Sequence, residues 1–338
     1  MKCRYCGKEI DDDSVFCEHC GKRVEMFPEM ITPPCQDDAE EQFKIGLECF
    51  FKKRNFVEAA QWLRKSAEQG YAKAQVCMGI MYFRGDGVEQ NYVEGVKWCR
   101  KAAEQGETGA QYELGCAYQF GKGVDQNYAE AARWYQKAAA QGHAKAQNNL
   151  GNLYDSGDGV RQNYEEAVKW YRKAAEQGLD AAQYNLGRMY HYGRGVEQDS
   201  VKAEEWLRKS AEQGYAAAQF RLGVVYKKAK KYVEALKWLK KAAEQKDEWA
   251  MSELNQGRMA SGFYVDVIMI SAGKDKLAVT KQLKELSGLG LREAMLLVDA
   301  CPTTVKTELS DIESKAWKEL LERAGAKIEL KEYTMCLS

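Results

Sequence analysis

Residues 144–179 read AKAQNNLGNLYDSGDGVRQNYEEAVKWYRKAAEQGL, and this 36-residue segment determines the architecture of the chain. Its apolar residues Ala146, Leu150 and Leu153 fall at i, i+4 and i+7, which places them on one face of a first helix. Trp170 and Ala174 lie on one face of a second helix by the same spacing. The segment therefore predicts a pair of helices joined by the glycine-rich turn Gly-Asp-Gly-Val.

The tetrapeptide Ala-Glu-Gln-Gly recurs along the chain and gives the period of this unit. It begins at Ala67, Ala103, Ala175 and Ala211, and the related Ala-Ala-Gln-Gly begins at Ala139, each 36 residues after the one before. A period of this size is the signature of stacked helical repeats. We therefore predict a mainly α protein, with a solenoid of six helix-pair repeats over residues 41–260.

Recurring glycines describe how the two helices of each repeat meet. A glycine inside a helix costs about 1 kcal/mol in propensity, so its recurrence predicts that the partner helix passes too close for a Cβ. These first-helix glycines are Gly79, Gly115, Gly151, Gly187 and Gly223. A second set opens each Gly-x-Gly-Val turn, where positive φ is expected. Its members are Gly85, Gly121, Gly157 and Gly193.

The pattern Ala-Gln-x-x-Leu-Gly-x-x-Tyr, Gly-x-Gly-Val, Ala-x-x-Trp-Tyr-x-Lys-Ala-Ala resembles the Sel-one-like repeat family, relatives of tetratricopeptide repeats. The resemblance covers about residues 41–250. The first and sixth repeats depart from it, because Arg54-Asn55-Phe56 and Lys230-Lys231-Tyr232 replace the glycine turn. Terminal repeats of a solenoid are often atypical because one of their faces caps the stack. A lone capping helix is expected to follow the sixth repeat and to begin with Trp249, Met251 and Leu254.

Outward positions of the first helices are the candidate partner-binding residues, since these helices line the concave face of stacked helix pairs. They are Tyr112, Asn148, Asn152, Tyr184, Arg188 and Phe220. Aromatic rings and side-chain amides of this kind can hold a peptide by stacking and hydrogen bonding. The alternative is that Tyr184 and Phe220 only fill gaps between adjacent repeats.

Charge and histidine content exclude some classes of function. Lys+Arg and Asp+Glu number 50 each, so no global field draws the chain to nucleic acid or to an anionic membrane. No stretch approaches the ~18 consecutive apolar residues of a membrane span. His143 and His191 occupy repeat positions that other residue types hold elsewhere, which favours a surface role over acid–base catalysis. We predict a protein that is not an enzyme.

The first residues contain two Cys-x-x-Cys pairs, Cys3 with Cys6 and Cys17 with Cys20. Four thiolates at this spacing can hold a structural Zn²⁺ tetrahedrally. The apolar core available to so short a segment is too small to fold it alone, whereas zinc binding contributes on the order of 10–16 kcal/mol of apparent free energy. Disulfide pairing is the alternative, although a reducing, cytoplasmic setting favours the metal.

Residues 1–26 resemble the short zinc ribbons found at the start of many bacterial proteins. The run Asp11-Asp12-Asp13 repels phosphate, which favours a protein contact of the ribbon over a nucleic-acid partner. Residues 27–40 hold three of the four prolines and are predicted to be a linker. A second domain boundary precedes residue 263. From there β-branched residues alternate with other residues, as is typical of a strand.

Residues 263–338 are predicted to form a small α+β domain. We expect strands at 264–270, 303–307 and 326–331. Helices are expected near 275–286, 291–300 and 310–324, with two of them packed on one sheet face. The runs Val265-Asp266-Val267-Ile268 and Gly288-Leu289-Gly290-Leu291-Arg292-Glu293-Ala294 resemble the C-terminal domain of the bacterial ribosomal stalk protein, L-seven/L-twelve, over residues 263–331.

The stalk resemblance implies a surface for translational GTPases, formed by basic residues on the two helices that flank the Gly-Leu-Gly-Leu turn. The matching positions here include Lys276, Lys281 and Lys284, while Met295 stands where the family commonly has lysine. The dimerising and ribosome-anchoring part of the stalk family is replaced by repeats and a ribbon. An ordinary solvated helix face is the alternative interpretation of these lysines.

These features together predict a cytoplasmic scaffold or adaptor that binds other proteins. The alternative is an accessory translation protein that contacts ribosome-associated GTPase factors through residues 263–338. An enzyme is the third class, and the absence of a catalytic constellation counts against it.

Overall fold

A computed structural model describes residues 38–254 and 263–334 of the chain. The N-terminal ribbon and its four cysteines, which are predicted from the sequence, lie outside the described residues. The chain divides between Asn127 and Tyr128 into two compact units. In the described residues, the first unit holds helices α1 to α5, and the second holds the remaining helices and the sheet.

Twelve helices of equal length form the predicted repeats in the described part of the chain. They are α1 (Ala39–Phe51), α2 (Phe56–Glu68), α3 (Ala72–Arg84), α4 (Tyr92–Glu104), α5 (Thr108–Phe120), α6 (Tyr128–Ala140), α7 (Ala144–Ser156), α8 (Tyr164–Glu176), α9 (Asp180–Tyr192), α10 (Ser200–Glu212), α11 (Ala216–Lys228) and α12 (Tyr232–Glu244). The short helix α13 (Glu248–Leu254) follows. The predicted architecture of repeated helix pairs is confirmed.

Capping residues that can be recognised in the sequence stand at both ends of many of these helices. Several second helices start after an Asn or Asp whose side chain accepts a backbone N–H, as Asn163 does from Glu166 at 3.1 Å. Such N-caps satisfy donors that have no partner within the helix. The first helices of the central repeats end at a left-handed glycine, as α7 does at Gly157.

The close approach predicted for the first-helix glycines is confirmed at Gly151. A Cβ built there would lie 2.7 Å from Cε1 of Tyr171 and 3.3 Å from the carbonyl oxygen of Ala167, both on α8. The turn glycine Gly159 has φ of +67°, and a Cβ there would overlap the backbone of Tyr128. The turn of one repeat therefore packs against the start of the second helix of the preceding repeat.

Buried glutamines join successive helices of the second unit. The amide of Gln147 donates to the carbonyl of Ala139 at 3.1 Å, and Gln177 donates to Oε1 of Gln147 at 2.7 Å. Gln147 is only 4 % exposed, so its hydrogen bonds replace those it would make to water. The same glutamine chain recurs in the repeat that contains Gln183 and Gln213. Repetition of this polar link fixes the stacking register between helices.

Residues 263–334 form the predicted α+β domain. Its strands are β1 (Phe263–Ser271), β2 (Thr303–Leu309) and β3 (Lys327–Thr334), and its helices are α14 (Lys276–Ser287), α15 (Leu291–Asp299) and α16 (Asp311–Arg323). The sheet is antiparallel in the order β2-β1-β3. Leu283 of α14, Val298 of α15 and Trp317 of α16 share one core with Val267 of β1.

The α+β domain packs against the last repeat through α16. Ile312 is 1 % exposed and belongs to the same buried cluster as Leu239 of α12 and Ala250 of α13. Oε2 of Glu319 accepts the backbone N–H groups of Tyr232 and Val233 at 2.9 and 3.2 Å. These are the first two residues of α12, whose N-cap residue makes no side-chain capping bond. Glu319 therefore caps α12 from another domain.

The predicted capping helix after the sixth repeat is confirmed as α13, but a different residue anchors it. Ala250 is fully buried, whereas the Trp249 side chain is 73 % exposed. Ala250 stands at the position of Ala218 in the previous repeat, where the alanine is also fully buried. Helix α13 thus begins as the first helix of a seventh repeat would.

Candidate functional site

Five of the six predicted groove residues lie on three successive first helices of the second unit. Asn148 and Asn152 are on α7, Tyr184 and Arg188 are on α9, and Phe220 is on α11. Tyr112 is half-buried on α5, in the first unit.

An amide network joins α7 to α9. The Asn185 amide donates to Oδ1 of Asn148 at 3.0 Å and to Oδ1 of Asn152 at 3.2 Å. The hydroxyl of Tyr171 donates to the same Asn152 oxygen at 2.8 Å. Asn152 is half-buried, so its amide borders solvent, whereas Asn148 is 7 % exposed. The expected outward position of Asn148 was wrong, because the neighbouring repeat covers it.

Arg188 extends this network toward solvent. Its Nη1 lies 3.4 Å from Oδ1 of Asn185, and Nη2 lies 4.0 Å from a carboxylate oxygen of Asp155. Its guanidinium carbon lies 5.8 Å from the ring centre of Tyr184, within the range of a cation–π contact. The sequence interpretation missed Asn185 and Asp155. The sequence did indicate Asn185, because it stands one repeat period of 36 residues after Asn149 and is the same residue type.

The aromatic residues of the predicted groove are partly packed inside. Tyr184 and Tyr215 have ring centres 5.3 Å apart, and both pack with Phe220 against the buried cluster around Leu222. The gap-filling interpretation of Tyr184 and Phe220 is therefore supported for the inner edge of each ring. Both side chains remain half-exposed, so each also presents surface to the groove.

The two repeat histidines have local structural roles. Nδ1 of His143 accepts the backbone N–H of Ala146 at 3.2 Å and caps α7. Burial lowers the pKa of His143, and the nearby Lys145 lowers it further. The His191 ring packs edge-on against Tyr192, and its pKa is lowered by burial and then by Arg221 and Lys228.

The three predicted lysines of the α+β domain all lie on α14. Lys276 pairs with Asp299 of α15 at 2.8 Å, which draws the ends of the two helices together. Lys281 and Lys284 are exposed. The same hairpin exposes large apolar side chains, with Leu277 61 % and Leu296 63 % exposed. Helices α14 and α15 thus present an apolar surface together with cations.

Metal and membrane features can be assessed only in the described residues. Residues 38–254 and 263–334 contain no cluster of three or more His, Cys, Asp or Glu side chains able to hold a metal ion. The zinc ligands predicted from the sequence, Cys3, Cys6, Cys17 and Cys20, lie outside these ranges and stay a prediction. Among the described helices, none is long and apolar enough to cross a bilayer.

Three family models match separate parts of the chain. The Sel1 repeat model matches six segments, at residues 44–71, 72–107, 108–143, 144–179, 180–215 and 216–247. A zinc-ribbon domain model matches residues 2–24. The model of the ribosomal protein L7/L12 C-terminal domain matches residues 265–331. The family resemblances predicted from the sequence are confirmed.

Two solved structures of repeat proteins are similar to this chain. A Sel1 repeat protein from Oxalobacter formigenes is 37 % identical, with a TM-score of 0.60, covering 63 % of this chain and 86 % of its own. A protective antigen of uropathogenic Escherichia coli with an SLR fold is 31 % identical, with a TM-score of 0.60, covering 85 % and 62 %.

Ribosomal proteins are among the curated relatives. The large ribosomal subunit protein bL12 of Parabacteroides distasonis is 47 % identical over 66 residues, which are 20 % of this chain and 53 % of bL12. The chain thus spans about half the length of the curated relatives it matches, through the α+β domain alone.

Proposed function

Because the chain belongs to the Sel1 repeat family, we propose that it is a non-catalytic scaffold that binds a partner protein in the groove of its repeats. The observation that carries this proposal is the network of Asn148, Asn152, Asn185 and Arg188 across α7 and α9. Asn152, Asn185 and Arg188 are its half-buried members, and Asn148 is its buried one.

Such a network suits an extended peptide. Oδ1 of Asn152 already accepts from Asn185 and Tyr171, so its amide NH2 group remains to donate to the C=O of a peptide backbone. Because Asn185 and Tyr171 fix the orientation of Asn152, less conformational entropy is lost on binding. Arg188 adds a charged donor, and Tyr184 adds an aromatic surface beside it.

We propose four segments for the scaffold: a ribbon at 1–26, a linker at 27–40, repeats at 41–260 and a stalk-like domain at 263–338. The ribbon would hold Zn²⁺ through Cys3, Cys6, Cys17 and Cys20, a site closed to catalysis by its four protein ligands. Thiolate ligands require reduced cysteines, which fits a cytoplasmic protein. Each folded segment offers a separate contact surface.

Replacing Asn152 and Arg188 together with alanine is expected to weaken partner capture by about tenfold, since each lost hydrogen bond contributes about 0.5–1.5 kcal/mol. Asn148 is kept, because it is buried and its removal would lower stability. The measurement is affinity capture of bacterial lysate on the full chain, quantified by mass spectrometry.

The matched control changes Lys169 and Glu205, two exposed residues of the second helices, to alanine. This variant is expected to capture the same proteins in the same amounts as the unchanged chain. Equal capture by the groove variant and the control would contradict the proposed groove.

The exposed surface of α14 and α15 favours a second candidate, contact with a translational GTPase. Leu277, Met295 and Leu296 are exposed there beside Lys281 and Lys284. The α+β domain packs on the last repeat through α16, so this hairpin stays accessible. Similarity to bL12 covers this domain, and the activity of bL12 itself does not transfer with it.

Replacing Lys281 and Lys284 with glutamate is expected to reduce binding of the full chain to a purified translational GTPase by about tenfold at low salt. Each reversal removes an exposed ion pair of about 0.2–1 kcal/mol and adds a repulsion of similar size. Fluorescence anisotropy at two salt concentrations measures the change. Reversal of Lys306 and Lys327, exposed on β2 and β3, is the control. Equal binding by both variants would exclude this candidate.

A further inference from the structure

A cluster of cations surrounds one exposed tyrosine at the end of α9. We call it the Tyr192 cluster, and it consists of His191, Tyr192, Arg194, Arg221 and Lys228. The guanidinium carbons of Arg194 and Arg221 lie 5.6 and 5.8 Å from the Tyr192 ring centre. Nη1 of Arg221 donates to the Tyr192 hydroxyl at 3.0 Å. The Tyr192 side chain is 47 % exposed, so the cluster faces solvent.

Arg221 has unused hydrogen-bonding capacity in this cluster. Its Nε is buried and has no hydrogen-bond partner among the described residues. A buried donor without a partner is costly, and such groups call for a ligand, a water or another explanation. Solvent does not reach this nitrogen, so a bound acceptor pairs with it only when the Arg221 side chain turns outward.

The cluster carries more positive than negative charge. The charges that act on His191 are the cations Arg221 and Lys228. Among the described residues, none of Arg194, Arg221 and Lys228 lies within 4 Å of a carboxylate oxygen. By contrast Arg208, on the next second helix, holds Glu204 at 2.5 Å.

The C-terminal end of α9 accounts for only part of the positive charge that gathers in the Tyr192 cluster. Helix α9 ends at Tyr192, and its C-terminal carbonyls carry a partial negative charge of about half an electron that favours nearby cations. That partial charge offsets at most one of the three full charges of Arg194, Arg221 and Lys228. The side chains of Arg221 and Lys228 come from α11, so the repeat stack brings them there.

We infer that the Tyr192 cluster binds carboxylate side chains of an acidic peptide segment. This inference rests on the proposed groove function and names the chemistry of its partner. Arg221 and Lys228 would ligate the carboxylates through charge-assisted hydrogen bonds, and the Tyr192 ring would support the peptide between them. Arg188 lies on the same helix as Tyr192, one turn nearer the amide network. The acidic segment would therefore continue into the groove.

A labelled octaglutamate peptide provides the test, with octalysine and an octauridylate RNA as comparison probes. Fluorescence anisotropy with the full chain at low salt is expected to show binding of octaglutamate and none of octalysine. Replacing Arg221 and Lys228 with glutamate is expected to weaken octaglutamate binding at least tenfold. Reversal of Lys240 and Lys306, two exposed lysines outside the cluster, controls for net charge and is expected to change the affinity less than twofold.

Two further variants separate binding from folding. Arg221→Gln removes the charge and keeps an amide donor, and Lys228→Glu alters an exposed side chain. Each is expected to retain the helical circular-dichroism melt and to weaken octaglutamate binding severalfold. Octaglutamate affinity that is equal in the cluster and control variants would overturn the inference. Tighter binding of octauridylate than of octaglutamate would overturn it as well, in favour of a nucleic-acid site.

Failure of the acidic-peptide inference can be told apart from failure of the proposed groove function. If octaglutamate does not bind while Asn152→Ala with Arg188→Ala still loses its captured partner, the groove binds by other chemistry and only this inference falls. If the groove variant also captures normally, both fall.

Discussion

Replacing Cys17 and Cys20 with serine is expected to abolish binding of the single Zn²⁺ that we propose for the N-terminal ribbon. Serine hydroxyls are not deprotonated at neutral pH, so only two thiolates would remain where a structural site needs four ligands. The metal contributes on the order of 10–16 kcal/mol of apparent free energy in comparable small domains, so the ribbon is expected to unfold without it. Elemental analysis of the purified chain measures the metal content directly.

The control for this experiment replaces cysteines of the repeats and the α+β domain. Cys77→Ser and Cys301→Ser change half-buried thiols and are expected to leave one Zn²⁺ per chain. A reduced, unchanged chain that holds no zinc would refute the site and favour the disulfide alternative. Retention of a full equivalent by the Cys17 and Cys20 variant would show that other ligands hold the metal.

The repeat architecture is predictable from sequence because each repeat meets the same steric requirement. Gly151 must admit the Tyr171 ring, and Gly159 must take positive φ against the backbone of Tyr128 in the preceding repeat, so both positions recur as glycine. The strand ends of the α+β domain are less predictable. Strand β3 runs to Thr334, three residues beyond the predicted end, because Thr334 pairs with Phe263 across the sheet.

The candidate site is less predictable, because burial in a stack depends on the next repeat. Asn148 and Asn152 are the same residue type one turn apart on α7, and the sequence treats them alike. Both accept a hydrogen bond from Asn185 of the following repeat, yet Asn148 is buried and Asn152 is half-buried. The Tyr192 cluster escapes detection for a related reason. Arg221 contacts Tyr192 across 29 residues, a separation that is not the repeat period.

The residue before α12 indicates in the sequence that another part of the chain packs against the last repeat. Asn55, Asn91, Asn163 and Asp199 cap the second helices of their repeats, while Lys231 stands at the start of α12. A lysine cannot accept the orphan N–H groups there. The missing acceptor predicts an outside partner, which is Glu319, 87 residues from Tyr232.

Ile312→Asp is expected to release the α+β domain from the last repeat. Ile312 is 1 % exposed within the core that it shares with Leu239, and an unpaired buried carboxylate costs several kcal/mol. Release is less costly than burial of that charge, since the domain keeps its own core around Val267 and Leu283. Residue-resolved hydrogen exchange measures the release. The N–H groups of Tyr232 and Val233 are expected to lose protection, because Glu319 no longer accepts them.

Two matched variants decide whether the α16 contact itself is responsible. Leu277→Asp places the same charge on the exposed face of α14 and is expected to leave exchange at Tyr232 and Val233 unchanged. Glu319→Gln keeps the size and an acceptor oxygen but loses the negative charge. It is expected to lower protection of the two N–H groups by about 1 kcal/mol, the typical loss for a weakened N-cap. Normal protection in Ile312→Asp would mean that contacts other than the buried isoleucine keep the domain docked. Normal protection in Glu319→Gln would contradict the capping role of Glu319.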